Sequence, residues 1–200
     1  GELTATTLLR THAISVAHAD TLAAPARTPE PPLPVLTQAA RRVGNVTQES
    51  DSDGIFRRHQ FLVTHQGELF PSLPLAGYLV AHPAARLDAE AHALAIGDRR
   101  VPLSDDGTAV IRFRARKYAE CAAYDVLTSV QSLAEGKDPQ VSPETFRDKY
   151  VIISASAPGM RDVRATPVDR LHMGAAIYAN VLDNLLAGDF VRRSPRWLDA

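Results

Sequence analysis

An α/β fold with a mixed sheet and flanking helices, arranged as a layered sandwich, is what this sequence predicts, and three features predict it. The run Tyr150–Ala155 (YVIISA) is apolar almost throughout, the pattern of a central strand covered on both faces. It is followed by a long loop and then by a helical segment, Gly174–Ala187, closed by Gly188. Strand, loop and helix in succession is α/β grammar. Two turn signals, DSDG at 51–54 and SDDG at 104–107, are flanked by strand-like segments. Each predicts a β-hairpin, which makes the sheet mixed and not purely parallel.

The elements follow in order. Leu3–Arg10 reads as the end of a helix, and His12–Ala19 as a strand with Ile14 and Val16 inside. Ala23–Pro34 holds five prolines and few large apolar groups, so it reads as a surface loop. Leu33–Arg42 is expected to be helical, with Val35, Leu36, Ala39 and Ala40 on one side and Gly44 as its stop. The first hairpin spans Val43–Glu49 and Ile55–His65; the second spans Arg99–Leu103 and Thr108–Arg114. In the latter, Ala109, Ile111 and Phe113 alternate with Val110, Arg112 and Arg114, a half-buried strand pattern. Between the hairpins, Ser72–His82 is a helix with Pro74 in its first turn. Tyr124–Ala134 is a helix carrying Leu127, Val130 and Leu133 near one face, and Ser142-Pro143 starts a short helical turn.

Two hundred residues predict one domain, 1–200, with residues 1–32 forming its start and proline-rich loop. A chain of this size buries roughly 70% of its unfolded surface and needs no staple. It is 45% apolar and 22% charged, with a formal net charge of −1. That balance argues against nucleic acid as a partner, which calls for a basic face. One cysteine, Cys121, excludes an internal disulfide and leaves the compartment open. No apolar run approaches the ~20 residues that span a bilayer. The start at Gly1, with neither a methionine nor a signal sequence, suggests a piece of a longer protein.

Several segments together resemble a family. VGNVTQESDSDGIFRR at 43–58 is similar to the type-two CHASE domain, the cyclase/histidine-kinase-associated sensory extracellular domain. PSLPLAGYL, IRFRA and Tyr124-Asp125 follow at the expected places. The strongest stretches are FRDKYVIISASAPGMRDVRATP and GAAIYANVLDNLLAGDFVRRSPRW, so the likeness covers residues 33–197. The resemblance implies an extracytoplasmic (periplasmic) sensor in a bacterial inner-membrane receptor, set between membrane helices of the same full-length chain. Its output would be a nucleotide cyclase, a diguanylate cyclase, or a histidine or Ser/Thr kinase in the cytoplasm. The family opens with a further strand-helix-strand segment, of which only the tail is expected here, in Leu3–Ala19.

The loop after Tyr150–Ala155 carries the candidate ligand-binding residues. Beyond the carboxyl end of a central strand, near a helix N-terminus, is where open α/β sheets bind ligands. Ser154, Ser156, Arg161, Asp162 and Arg164 lie there, and Asn180 follows on the final helix. The arginines suit an anionic ligand, and the helix beginning at Gly174 adds free amides and a positive dipole end. The same residues also read as an internal salt bridge that ties the loop down. Asn180, Asp183 and Asn184 share one side of that helix, a polar face that reads first as solvated and otherwise as a contact with the Arg161–Arg164 loop or a partner subunit.

Other chemistries have less to stand on. Ser154 or Ser156 with His172 and Asp162 or Asp169 supplies the residue types of a serine triad. The surrounding SAS lacks the glycine-flanked turn that exposes a hydrolase serine. Asp51 and Asp53 match half of a calcium loop, and a tight turn with Asx hydrogen bonds explains them better. The histidines are scattered, with no pair at helical i,i+4 spacing, so neither a metal nor a cofactor is expected. Arg192, Arg193, Arg196 and Trp197 around Pro195 suit either a membrane interface or a solvated tail.

The resulting expectation is a non-enzymatic sensory domain whose signal is a small molecule or a protein partner. The alternatives are a small α/β enzyme or nucleotide-binding domain, or a dimerisation or scaffold module acting as a homodimer. No phosphate-binding glycine string supports the enzyme or nucleotide reading.

Overall fold

A computed structural model describes residues 5–19, 22–25, 30–114, 118–155 and 162–192. The α/β expectation holds: small, mostly antiparallel sheets alternate with helices, and no barrel forms among the described residues. Strand β1 (Ala24–Pro25) runs parallel to β3 (Leu62–His65), which pairs antiparallel with β4 (Glu68–Pro71). Strand β2 (Arg58–Gln60) pairs with β8 (Thr108–Val110), and β5 (Leu87–Glu90), β6 (Ala93–Ile96) and β7 (Arg99–Pro102) form a meander. A two-residue ribbon, β9 (Val163–Arg164) with β10 (His172–Met173), precedes the last helix.

Five α-helices accompany them among the described residues. Helices α1 (Ala5–Arg10) and α2 (Pro34–Ala39) touch each other, and α3 (Leu73–Ala81) packs on α5 (Gly174–Ala187). Helix α4 (Ala123–Ala134) precedes the short turn at Pro143–Thr145, where Ser142 Oγ accepts from the Glu144 amide. The core lies where α3 and α5 meet the sheets. Phe61, Leu62, Leu75, Leu94, Ile96, Val101, Ile177, Val181 and Leu185 are fully buried there. Each contributes about 1.5–3 kcal/mol of burial. Helices α3, α4 and α5 fall within a residue of their expected bounds, and Gly188 ends α5 with φ +65°, a left-handed geometry that favours glycine.

The strands depart from expectation more than the helices do. Tyr150–Ala155 is no central strand: it pairs with no strand among the described residues, and Val151 and Ile153 are 55% and 89% exposed. An apolar β-branched run shows a preference for burial, but only a neighbouring strand can satisfy it. Both turns form, yet neither closes the expected hairpin. At the first, the Asp51 amide donates to Ile55 O, but Asn45 bridges Ser72, and Arg58–Gln60 goes to β8. At the second, Ser104 N donates to Thr108 O, and then β7 joins β6 while β8 joins β2. The hairpins that do form turn at Gln66-Gly67, Ala91-His92 and Gly97-Asp98. His12–Ala19 contributes only isolated bridges at Ile14 and Ala17. Helix α2 turns Val35 and Leu36 outward and buries Thr37, and the Leu127–Val130–Leu133 stripe of α4 is also exposed.

On the final helix, Asn180 and Asn184 do not face solvent, contrary to expectation; they are 1% and 0% exposed. Asn184 Oδ1 accepts from the Arg112 amide (2.9 Å) and its Nδ2 donates to Arg112 O (3.0 Å). Asn180 Oδ1 accepts from the Arg114 amide (2.8 Å), and its Nδ2 donates to Ala176 O (2.8 Å). Two side-chain amides thus complete the hydrogen bonding of the chain that continues β8.

His59, on β2, is buried edge-on against the rings of Phe61 and Tyr178, and neither ring nitrogen has a hydrogen-bond partner among the described residues. Burial lowers its pKa to about 3.

Both buried features are testable. Replacing Asn184 by alanine strands both polar groups of Arg112 and should lower unfolding stability by about 2–4 kcal/mol in urea titrations. The folded His59 refuses a proton that the unfolded chain accepts near pH 6.5, so stability holds above that pH and falls as pH drops toward 3. The slope should approach about 1.4 kcal/mol per pH unit, and His59→Leu should remove that component. Equal acid slopes in both proteins would show that His59 is not the group responsible.

Candidate functional site

The candidate loop ends against the N-terminus of α5, and that junction is well defined. The Gly174 amide donates to Asp162 O (2.6 Å). A Cβ on Gly174 would lie 2.0 Å from Asp162 Oδ2, so only glycine lets the carboxylate sit against the first residue of the helix. A negative group there complements the positive end of the helix dipole. Asp162 Oδ1 also pairs with Arg164 Nη2 at 2.5 Å. The Arg164 guanidinium lies 5.5 Å from the centre of the Phe56 ring, while the Phe56 amide donates to Ala165 O (2.8 Å). The loop is therefore fastened to the segment after the first turn as well as to α5.

Tyr178, one turn into α5, lies within the field of this pair. Its hydroxyl donates to Val46 O, and burial first, then the Asp162 charge, push its pKa up to about 12, while Arg164 acts the other way. Farther along the loop, Thr166 and Asp169 close a turn: Thr166 N donates to Asp169 O, and Asp169 Oδ1 accepts from the Leu171 amide. His172 lies edge-on to Phe113, with its Nε2 buried.

Of the candidate residues, the structure joins Asp162 and Arg164 to each other. Asn180 is committed to the Arg114 amide, and Ser154 is exposed on the unpaired 151–155 stretch. Ser156 and Arg161 lie outside the described residues. Because 150–155 is not a central strand, the placement of this loop beyond a strand's carboxyl end does not apply. No hydrogen bond among the described residues joins Ser154 to His172, or His172 to Asp162 or Asp169, so a triad geometry is not assembled there. The described residues also hold no group of three or more potential metal-ligating side chains.

The aspartates of the first turn serve an ion network. Asp53 Oδ1 accepts from the Ile55 amide (3.1 Å), the expected Asx turn. Arg57 bonds Asp51 and Asp53, and Arg58 bridges Asp51 (2.8 Å) to Asp106 (2.7 Å), linking the two turns. The bonds from Arg57 hold Asp53 down at about 2. Burial works to raise Asp51, and the bonds from Arg57 and Arg58 outweigh it.

A third cluster was not anticipated from the sequence. Arg114 bonds Asp183 (2.8 Å) and Asp189 (3.2 Å), and Arg112 bonds Asp189 (2.6 Å). Val191 bridges Val110, and Phe190 packs on Phe61. The alternation of arginine with apolar residues in IRFRA was the available signal, but its acidic partners lie some 70 residues away, at 183 and 189.

The CHASE2 domain family model matches residues 4–200. The chain belongs to the CHASE2 family. This is a family of extracellular sensory domains in signalling receptors, sensory and not catalytic in character. The match begins at residue 4, so it also takes in the start and proline-rich loop that the motif-based likeness left out. No curated protein and no solved structure matches significantly. Among the described residues, no helix of this CHASE2 domain is long and apolar enough to cross a membrane.

The junction at α5 can be tested by a double-mutant cycle. Gly174→Ala should destabilise the chain by about 1 kcal/mol while Asp162 is present, and should be neutral or slightly stabilising in an Asp162→Ala background. Asp162→Ala alone should cost no more than about 1 kcal/mol, because its pair with Arg164 is partly exposed. Additive effects would separate the two residues.

Proposed function

We propose that this chain is the extracytoplasmic sensor of a bacterial transmembrane receptor with a cytoplasmic cyclase or kinase output. A small molecule or protein signal would bias two arrangements of the domain, and α5 with the segment after it would carry the difference toward a following membrane helix. A signal moves such an equilibrium only if it binds the two states unequally. Membership of the CHASE2 family is the observation that carries this reading.

The ties around α5 support the route. The chain continuing β8 holds α5 through Asn180, Asn184 and Asp183, and holds the segment after α5 through Asp189 and Val191. A displacement of that chain therefore reaches the helix and its exit together. In the loop, Asp162 and Arg164 satisfy each other, so there the geometry favours a structural tie over an open anion site.

The test uses the full-length receptor in membranes. Asp189→Asn removes the negative charge and one of the two acceptor oxygens that Arg112 and Arg114 share at the exit, and should change basal output activity several-fold. Asp53→Asn, which weakens a comparable exposed ion pair at the first turn, should leave output unchanged. Equal output from both variants and the wild type would rule out transmission through this exit.

A further inference from the structure

We infer that the cleft between the β5–β7 meander and the exit segment is a binding site for a small amphipathic carboxylate. The cleft has a volume of about 590 Å³, and none of its described lining residues belongs to the loop at Asp162. That volume falls within the ~300–1,000 Å³ of small-molecule sites. Its apolar wall is built from Ala93, Leu103, Val110 and Val191. The wall thus joins β6, the second turn, β8 and the exit segment.

The charge at its edge selects the ligand. Arg100 and Arg192 both line the cleft, and they differ in commitment. Arg100 is paired with Glu90. Arg192 is exposed and has no ion pair among the described residues. Asp105, the acid among the described lining residues, is 91% exposed and turned to His92 at 3.6 Å. An uncommitted guanidinium beside an apolar wall suits a carboxylate with a hydrocarbon body: the planar fork takes two carboxylate oxygens while the body displaces water from the wall. Inorganic phosphate would leave that wall unused, and a phosphate or a nucleotide would bring more charge than the one lining arginine without an ion pair among the described residues meets.

The position gives binding a consequence. Val191 forms the wall and also bridges Val110, so an occupant touches both partners of the contact that fixes the exit segment. That consequence rests on the receptor reading, but the binding itself does not. Failure to bind would leave the receptor reading to the output assay described above.

The experiment is a titration of the 200-residue chain followed by amide chemical shifts, with octanoate, 1-octanol and inorganic phosphate as probes. Octanoate should shift the amides of Ala93, Leu103, Ser104 and Val191 saturably, and should bind more tightly than either of the others. Arg192→Gln, at an exposed site, should weaken octanoate about tenfold or more and leave octanol unchanged. Arg192→Lys should fall between the two, because it keeps the charge and loses the fork. The spectrum of each variant reports its fold directly. The inference is overturned if octanoate gives no saturable shift, shifts amides elsewhere, binds Arg192→Gln as tightly as the wild type, or is matched by phosphate.

Discussion

The structure depends on a helix standing in for a strand. Asn180 and Asn184 lie one turn apart on α5 and present their amides to Arg112 and Arg114, two residues apart on the chain continuing β8. The spacings make this possible. Four residues of α-helix rise ~6 Å, and two residues of extended chain rise about 6.7 Å, close enough for two short side chains to absorb the difference. Alternate residues of an extended chain point their amides to the same side, so both N–H groups face the helix. Buried without partners, those groups would each cost about 1–3 kcal/mol. The asparagines therefore let α5 lie against the stretch 112–114, which has no strand beside it among the described residues, and Ile177, Val181 and Leu185 can then reach the core.

The same few residues also fix the segment that follows α5. Gly188 turns the backbone at the end of α5, and the Asp189 amide donates to Asn184 O (3.0 Å). Phe190 then packs on Phe61, and Val191 meets Val110. Helix α5 and residues 189–191 are held by one extended segment, so their positions are coupled by geometry. The flanking pairs of Arg112 and Arg114 with Asp183 and Asp189 are partly exposed and individually weak. Their value lies in joining three elements at once, where shared partners make contributions non-additive.

What the sequence made legible was local. The bounds of α3, α4 and α5, the cap at Ser142, the Asx turn at Asp53 and the alternation from Ala109 to Phe113 all depend on neighbours within a turn or two. What it hid was partnership. A turn such as DSDG reverses the chain but does not choose which strand lies beside the next one, and β2 chose β8, about 50 residues on. The asparagines of α5 looked solvated because polar residues on a helix usually are. Their burial depends on an unpaired strand edge that no periodicity reports. The loop was legible in its charges, since a salt bridge between Asp162 and an arginine was one of the two readings open, and illegible in its setting, since 150–155 lacks the neighbours that a central strand needs.

The two charged places near α5 differ in what an incoming anion would meet. At the helix N-terminus, Asp162 already supplies a negative group to the dipole and to Arg164, with Gly174 leaving room for it. A ligand carboxylate there could gain only the difference between itself and Asp162, and the tethered group has the entropic advantage of being already in place. At the exit segment, Arg192 has no such internal competitor among the described residues, and an apolar wall lies beside it. The arginine that is already satisfied stabilises the fold, whereas the unsatisfied one can still contribute to binding. Since the wall of that cleft includes Val110 and Val191, occupancy acts on the contact that positions the exit, whereas the Asp162 junction sits at the opposite end of α5.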